Sequence, residues 1–363
     1  MPKRVALNTL NGSTLDILNT IRQNAPLDYQ SYVPVISSVK EIPKVGEVIL
    51  GYPALANNFL SALVNRIAAV RAKSATFNNP FADLKKGYLA MGETMEEAFI
   101  NITRAREFSP EAASSRELAR SLPDVKAAFH PMNFRAQYPV TIQDEDLRMA
   151  FLNENGVQDL IARIVDAVYT SATYDDYLLF KYLIIKGYNA GDIKVETFDK
   201  SAIANAAVKF RSVSNQMTFL GTKYNNGGVH TSTPREDQYI FMDADFNAQF
   251  DVGVLASAFN MEKADFIGRL RLIDDFTTFD NDRFASLVSA DQMETVSSTE
   301  LTAMADCKAI LVDKEFFQIY DNLARMTETY VASGMYWNYF YNTWKTVSYS
   351  PFSNACAFNG VTV

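Results

Sequence analysis

Asp243-Ala244-Asp245 closes an apolar run, and Asp274-Asp275, Asp280 and Asp282 gather further on, each near the end of an expected strand. Carboxylates at strand ends can hold Mg²⁺ or Mn²⁺. An Asp-x-Asp after an apolar strand is what nucleotide-sugar transferases use to grip a metal and a diphosphate. The competing reading is conformational: Asp caps helices and makes turns. Asp245 or Asp251 would then cap the segment that follows, and DDFTTFDND would be a solvated loop. No glycine-rich or basic element accompanies these acids to receive a phosphate, so the conformational reading is preferred.

The other chemistry-bearing residues are sparse. His130 and His230 are the two histidines, in different segments, and neither has an HxxxH or cysteine partner. No GxxxxGK[ST], GxGxxG or GxSxG occurs, and the SxxK match from Ser37 to Lys40 is short enough to arise by chance. Cys307 and Cys356 lie too far apart in sequence to suggest a disulfide framework, which points to a reducing compartment. The expectation is no catalytic residue, no cofactor and no metal.

The densest chemical feature is aromatic. Tyr336, Trp337, Tyr339, Phe340, Tyr341, Trp344 and Tyr349 crowd one run near the C-terminus. Bases or sugars stack on exposed aromatics, but normally within a basic groove, and only Lys345 lies in this run. Burial in a core or a subunit contact is the better reading. Alternation puts Tyr336, Phe340 and Trp344 on one face and Trp337, Tyr339 and Tyr341 on the other. Both faces then need cover, as in a long strand buried on both sides. Tyr336, Trp337, Phe340 and Trp344 are the expected aromatic core.

The elements that must position these residues are readable in part. Leu15, Leu18 and Ile21 mark a short helix capped by Ser13 or Thr14. Residues 26–50, with Pro34 and Pro43, look like an extended arm. A second helix starts at Pro53 and aligns Leu55, Phe59, Leu63 and Ile67. Residues 93–146 read as two strand-like flanks around a short helical tip that starts at Ser109-Pro110. This two-stranded excursion carries charges of both signs and is marginal unless it lies on a surface. Val157, Leu160, Ile161, Ile164, Val165 and Val168 form the strongest helical stripe, resumed by Leu178, Leu179, Tyr182 and Leu183, with Gly187 as terminator. IKVETF, QYIFMDA, RLRLIDDF and KAILVDK read as strands, the last sheet-central. Ile203, Ala207, Phe210, Val213 and Met217 mark a helix, and VGVLASAFNMEKADF another. EFFQIYDNLARM looks irregular to strand-like.

Bulk properties set limits. The chain has 363 residues, 48% hydrophobic, and a net charge of −8. That length implies more than one subdomain, and the acidity disfavours a protein built to grip phosphate backbones. The N-terminus lacks the apolar core of a signal peptide, and no apolar run is long enough to span a membrane.

The phrases LVNRIAAV, NNPFADLKKG, LPDVKAAFH, TIQDEDLRMAF, DADFNAQFDVGVLASAFNM, ILVDKEFFQIYDNLARM and GMYWNYFYNTWKTVSYSPFSNACAF run in one order from about Leu15 to Phe358. In these the chain resembles the major capsid proteins of small short-tailed phages of the phi-29 type. The resemblance implies an α+β fold of the Hong Kong 97 type. It would divide the chain into an N-terminal arm (1–50), a peripheral-domain segment (51–92), an extended β-loop (93–146) and the peripheral domain (147–220) with its spine helix (157–186). An axial domain (221–330) and a closing peripheral-domain strand (331–363) would follow. The resemblance further implies self-assembly into pentamers and hexamers, a scaffolding protein, a portal protein, and packaged double-stranded DNA bound without sequence specificity. The destination would be the virion, an icosahedral or prolate head assembled in the host bacterial cytoplasm. Arg104, Arg106, Glu107, Arg116, Glu117 and Arg120 on the extended loop are the expected subunit contacts. No motif identifies the Lys–Asn cross-link of the fold's founding member, so a non-covalent shell is expected. An immunoglobulin-like domain, carried by some relatives, is not expected in a chain that stops at Val363. The alternatives are an encapsulin-like compartment shell and a metal-dependent glycosyltransferase using Asp243 and Asp245.

Overall fold

The structure, a computed structural model, describes residues 14–52, 54–56, 58–59, 79–90, 94–111, 120–143, 145, 151, 166–249, 269–288 and 292–362. The chain divides into two compact units. One joins Met1–Asn78, Ala136–Asp175 and Ala324–Thr343; the other joins Asn79–Arg135, Asp176–Leu323 and Trp344–Val363.

In the first unit the N-terminal segment folds into helices. These are α1 (Thr14–Asn24), α2 (Leu27–Tyr32) and α3 (Ile42–Gly51). Residues 26–50, which their prolines suggest are extended, are therefore mostly helical. Pro43 falls in the first turn of α3, where its missing N–H costs nothing. Ile42, Val45 and Ile49 then share one helical face and are buried with Ile17, Leu18 and Ile21 of α1. The linking segment is clipped back onto α1. Asn19 Nδ2 donates to Ile36 O at 2.8 Å, Ile36 N–H returns a bond to Asn19 Oδ1 at 3.0 Å, and Arg22 reaches Val33 O and Gln30 O. Of the helix expected from Pro53, Leu55 and Phe59 join this core; Leu63 and Ile67 lie outside the described residues.

The second unit is built on a five-stranded sheet. Its strands are β5 (Lys194–Asp199), β6 (Gln238–Asp243), β7 (Leu270–Ile273), β8 (Cys307–Asp313) and β11 (Ala355–Val361), in the order β5-β11-β8-β6-β7. The continuously apolar β8 is central, antiparallel to both β6 and β11, and buried along nearly its whole length. Helix α5 (Ile203–Met217) covers one face, with Phe210, Val213 and Met217 packed among Ile240, Met242, Leu311 and Phe358. β6 and β7 are parallel and so need a crossover; the helix expected over 252–266 lies outside the described residues.

A four-stranded sheet has the order β1-β9-β10-β4, from β1 (Gly87–Tyr88), β4 (Phe134–Gln143), β9 (Phe317–Val331) and β10 (Tyr336–Tyr349). Helix α4 (Ser171–Asn189) follows a π-helical turn at Asp166–Thr170. Of its expected N-terminal stripe, Val157 to Val165 lies outside the described residues, while Val168 is buried. Gly187 does not end α4. It sits inside the helix, where an added Cβ would come within 3.3 Å of Ile193, and the left-handed residue beyond the helix is Gly191, at φ +77°.

Candidate assembly surface

The excursion over 93–146 begins as a hairpin that is a sheet of its own. β2 (Met95–Ile100) and β3 (Val125–His130) pair antiparallel from Met95↔His130 to Ile100↔Val125. Its second flank is two strands rather than one. Pro131 follows His130 and supplies no ladder N–H. Asn133 turns the chain by exchanging side-chain bonds with Val347, and β4 then joins β10.

The two faces of this hairpin differ. Glu97, Phe99, Lys126, Ala128 and His130 face inward, and His130 is buried. The outward face carries Ala98, Ile100, Val125, Ala127 and Phe129 with a single charge, Glu96. Phe129 is 64% exposed, and toward the tip Phe108 is 89% and Leu122 85% exposed. A contiguous apolar strip of this kind marks a contact surface rather than a solvated one. Sequence reasoning missed it, because alternation along β2 and β3 is visible but not which face finds cover. Arg104, Arg106, Glu107 and Arg120 are exposed along the same excursion; Arg116 and Glu117 lie outside the described residues.

The aromatic run is split by face. Trp337 and Tyr339 are buried in the first unit's core, Tyr330 lying 4.8 Å from Trp337. Tyr336, Phe340, Tyr341 and Trp344 are only half-buried, Trp344 beneath the Arg135 guanidinium at 4.9 Å. Around Phe340 the sheet surface carries neutral ladders: Gln137 to Asn342 at 2.8 Å and Thr141 to Asn338 at 2.7 Å. Beyond the run's midpoint, Lys345 is buried in a four-charge cluster. Lys85 Nζ lies 2.9 Å from Asp176 and 2.7 Å from Asp321, and Lys345 pairs with Asp176 and, at 3.7 Å, with Asp321. Two cations and two carboxylates thereby compensate one another.

The acidic residues have conformational duties. Asp243 and Asp280 accept the backbone N–H of Phe246 and Arg283 at the starts of helices Ala244–Asn247 and α6 (Asn281–Leu287). Asp275 closes a turn with Thr277. Asp274 accepts Tyr177 Oη–H at 2.6 Å and Lys181 Nζ at 2.7 Å. Burial opposes its ionisation, but these bonds outweigh burial and hold its pKa below the ordinary carboxylate value. Asp245 is an exposed first-turn residue. No group of three or more His, Cys, Asp or Glu is placed to hold a metal among the described residues. Nor is any described helix long and apolar enough to cross a membrane.

The chain's fold, with a five-stranded sheet, a helical N-terminal segment and a ribbon whose one face is apolar and exposed, occurs in phage capsids. It superposes on the capsid of Staphylococcus phage Andhra with a TM-score of 0.62 over 80% of this chain and 87% of that one, at 12% identity. A chain of native bacteriophage P68 matches at 0.56 over 80% and 88%, also at 12% identity. The chain belongs to the family of Phi29-like phage major capsid proteins, whose model matches residues 18–359. It is 37% identical to the major capsid protein of Bacillus phage B103 over 98% of this chain and 76% of that protein. The major capsid protein of Bacillus phage GA-1 is 36% identical over 94% and 68%. It is thus a building block of a tailed-phage head and resides in the virion. Neither the compartment-shell nor the transferase alternative is favoured: relatives matching nearly the whole chain are phage capsid proteins, and Asp243 is a helix cap.

Proposed function

We propose that this chain closes into five- and six-membered rings of identical subunits through heterologous contacts, and that a scaffolding protein guides this assembly in the host bacterial cytoplasm. The observation that carries the reading is the β2–β3 ribbon, whose outward apolar strip and exposed Arg104, Arg106 and Arg120 find no cover in the described parts of their own chain. The ribbon would lie across a neighbouring copy. Surface ion pairs contribute about 0–1 kcal/mol each, so the apolar strip supplies most of the hold and the charges, Glu107, Arg116 and Glu117 included, set register. Residues 1–50 would serve as arm, 51–92, 147–220 and 331–363 as peripheral domain, and 221–330 as axial domain. The half-buried aromatics Tyr336, Phe340 and Trp344 complete their burial in the shell. A portal protein would admit double-stranded DNA, which an acidic chain encloses without binding sequence. The role is structural; no catalytic step is assigned.

Charge reversal tests the ribbon. The triple change Arg104→Glu, Arg106→Glu and Arg120→Glu leaves a folded, monodisperse chain and lowers the yield of closed shells, while Phe108→Asp with Phe129→Asp abolishes them. Normal shell yield from the apolar pair would contradict the reading.

A further inference from the structure

Four Asn-Gly steps occur in the chain, at Asn11, Asn155, Asn226 and Asn359; the first two lie outside the described residues. The step is chemically labile, because glycine has no side chain to keep its backbone nitrogen from the neighbouring Asn carbonyl carbon. Asn359 is shielded. It is half-buried within β11, its Nδ2 donates to Tyr188 Oη at 2.7 Å, and the Gly360 N–H is spent on Asp306 O at 2.8 Å. Asn226 is exposed, in the loop that Gly221 and Thr231 close with a pair of backbone bonds.

The fold requires both residues of this second step. A Cβ on Gly227 would fall 2.5 Å from the Phe352 ring, so glycine alone fits. The Asn226 side chain must donate and accept at once. Its Nδ2 donates to Asp192, which also accepts Tyr349 Oη–H, and its Oδ1 accepts Lys194 Nζ at 3.3 Å. Oδ1 is the atom on which negative charge gathers when the carbonyl carbon is attacked, and an ammonium already faces it. The electrophile is thus prepared; the nucleophile is withheld. Gly227 N–H donates to Pro351 O at 2.6 Å, Asn226 N–H shares that acceptor at 3.1 Å, and Lys126 Nζ holds Gly227 O at 2.5 Å.

We propose that Asn226 is a site of spontaneous deamidation, held back by the bond from Gly227 to Pro351 and assisted by Lys194. When the loop lifts from Pro351, Gly227 N gives its proton to hydroxide and bonds to Asn226 Cγ. The Cγ–Nδ2 bond breaks, and the nitrogen leaves as ammonia with a proton from water. Water then opens the five-membered imide to aspartate or isoaspartate. The rate follows the population of the open loop. The change is one-way. It removes the donor to Asp192 and sets a second carboxylate against it, so the converted loop does not reseat. Segment 221–238 thereby records how long the chain has spent with this loop open.

The test follows the tryptic peptide Tyr224–Arg235 by tandem mass spectrometry, in full-length chain kept in mildly alkaline buffer with and without urea. In urea Asn226 should convert to a pair of products, aspartate and isoaspartate, resolved by chromatography. In the folded chain conversion should be slower by about ten-fold or more, the protection that one good hydrogen bond gives. Lys126→Met should speed it about ten-fold in the folded chain by freeing Gly227 O. Lys194→Met should slow it in the folded chain and leave the rate in urea unchanged, a split that a merely structural lysine would not give. Lys194→Met also serves where Lys126→Met fails to fold. Equal rates with and without urea, an intact Asn226 in urea, or a folded Lys194→Met chain that converts at the parent's rate would each overturn the proposal.

Discussion

Tyr339 is fully buried, and its hydroxyl meets no partner among the described residues. Burial, with the nearby charge of Glu328, pushes its ionisation far above the ordinary phenol range. A lone buried hydroxyl costs its desolvation and returns nothing, so Tyr339→Phe should be neutral or stabilise by about 1 kcal/mol in urea melts; a loss of more than that would mean the hydroxyl has a partner. The charge cluster behaves oppositely. Lys345→Met strands Asp176 and Asp321 beside Lys85 alone and should cost about 3 kcal/mol, as breaking a buried pair does. Asp274 sets a pH dependence. Its pKa is lowered on folding, so its contribution is present above the unfolded value of about 3.9 and is lost as pH falls through the lower folded value. Asp274→Asn should lower stability at neutral pH and flatten that acid limb. At this scale the sequence shows the kind of duty the acids have, because Asp before a helix start has a local cause, but not which acid has it: Asp245, expected as a cap, is a first-turn residue and Asp243 is the cap, while Asp274 binds Tyr177 and Lys181 rather than lying in a solvated loop. It was silent on Lys345 and His130, whose partners lie in distant segments.

Among the elements, strands with a buried face were the easiest to read. β5, β6 and β8 and helix α5 follow their own periodicity, and β8 owes its central place to an unbroken apolar run. Leu311→Ala, at the middle of β8, should cost about 2–5 kcal/mol. Where prolines sit decided the failures. Pro43 suggests extension yet opens α3, and Pro131 divides what reads as one flank into β3 and β4. β9 looked irregular because its first residues are buried and its far half exposed, so no single period runs through it. Burial also governs the thiols. Cys307 and Cys356 are fully enclosed between strands and both are pushed well above the ordinary thiol pKa by burial. Neither should react with a thiol reagent in the folded chain, and both should react on denaturation.

For the whole molecule, the order of the phrases along the sequence carried the family, and the fold and relatives agree with it. What single-sequence reading does not supply is which faces remain open once the chain has folded. The aromatic strand is expected to be covered on both sides; one side is buried within the chain at Trp337 and Tyr339 and half-buried at Tyr341, and the other is half-open at Tyr336, Phe340 and Trp344. The ribbon likewise folds one face onto its own chain and leaves the other apolar and bare. Obligate interfaces bury roughly 2,000 Å² or more, and these uncovered faces are where such area is available. The most direct measurement is a cryo-electron microscopy reconstruction of shells assembled from this chain, alone or with the proposed scaffolding protein. The account predicts Phe108, Leu122 and Phe129 buried against a neighbouring subunit in rings of five and six. Shells in which the ribbon lies only on its own chain, with those residues in solvent, would contradict it.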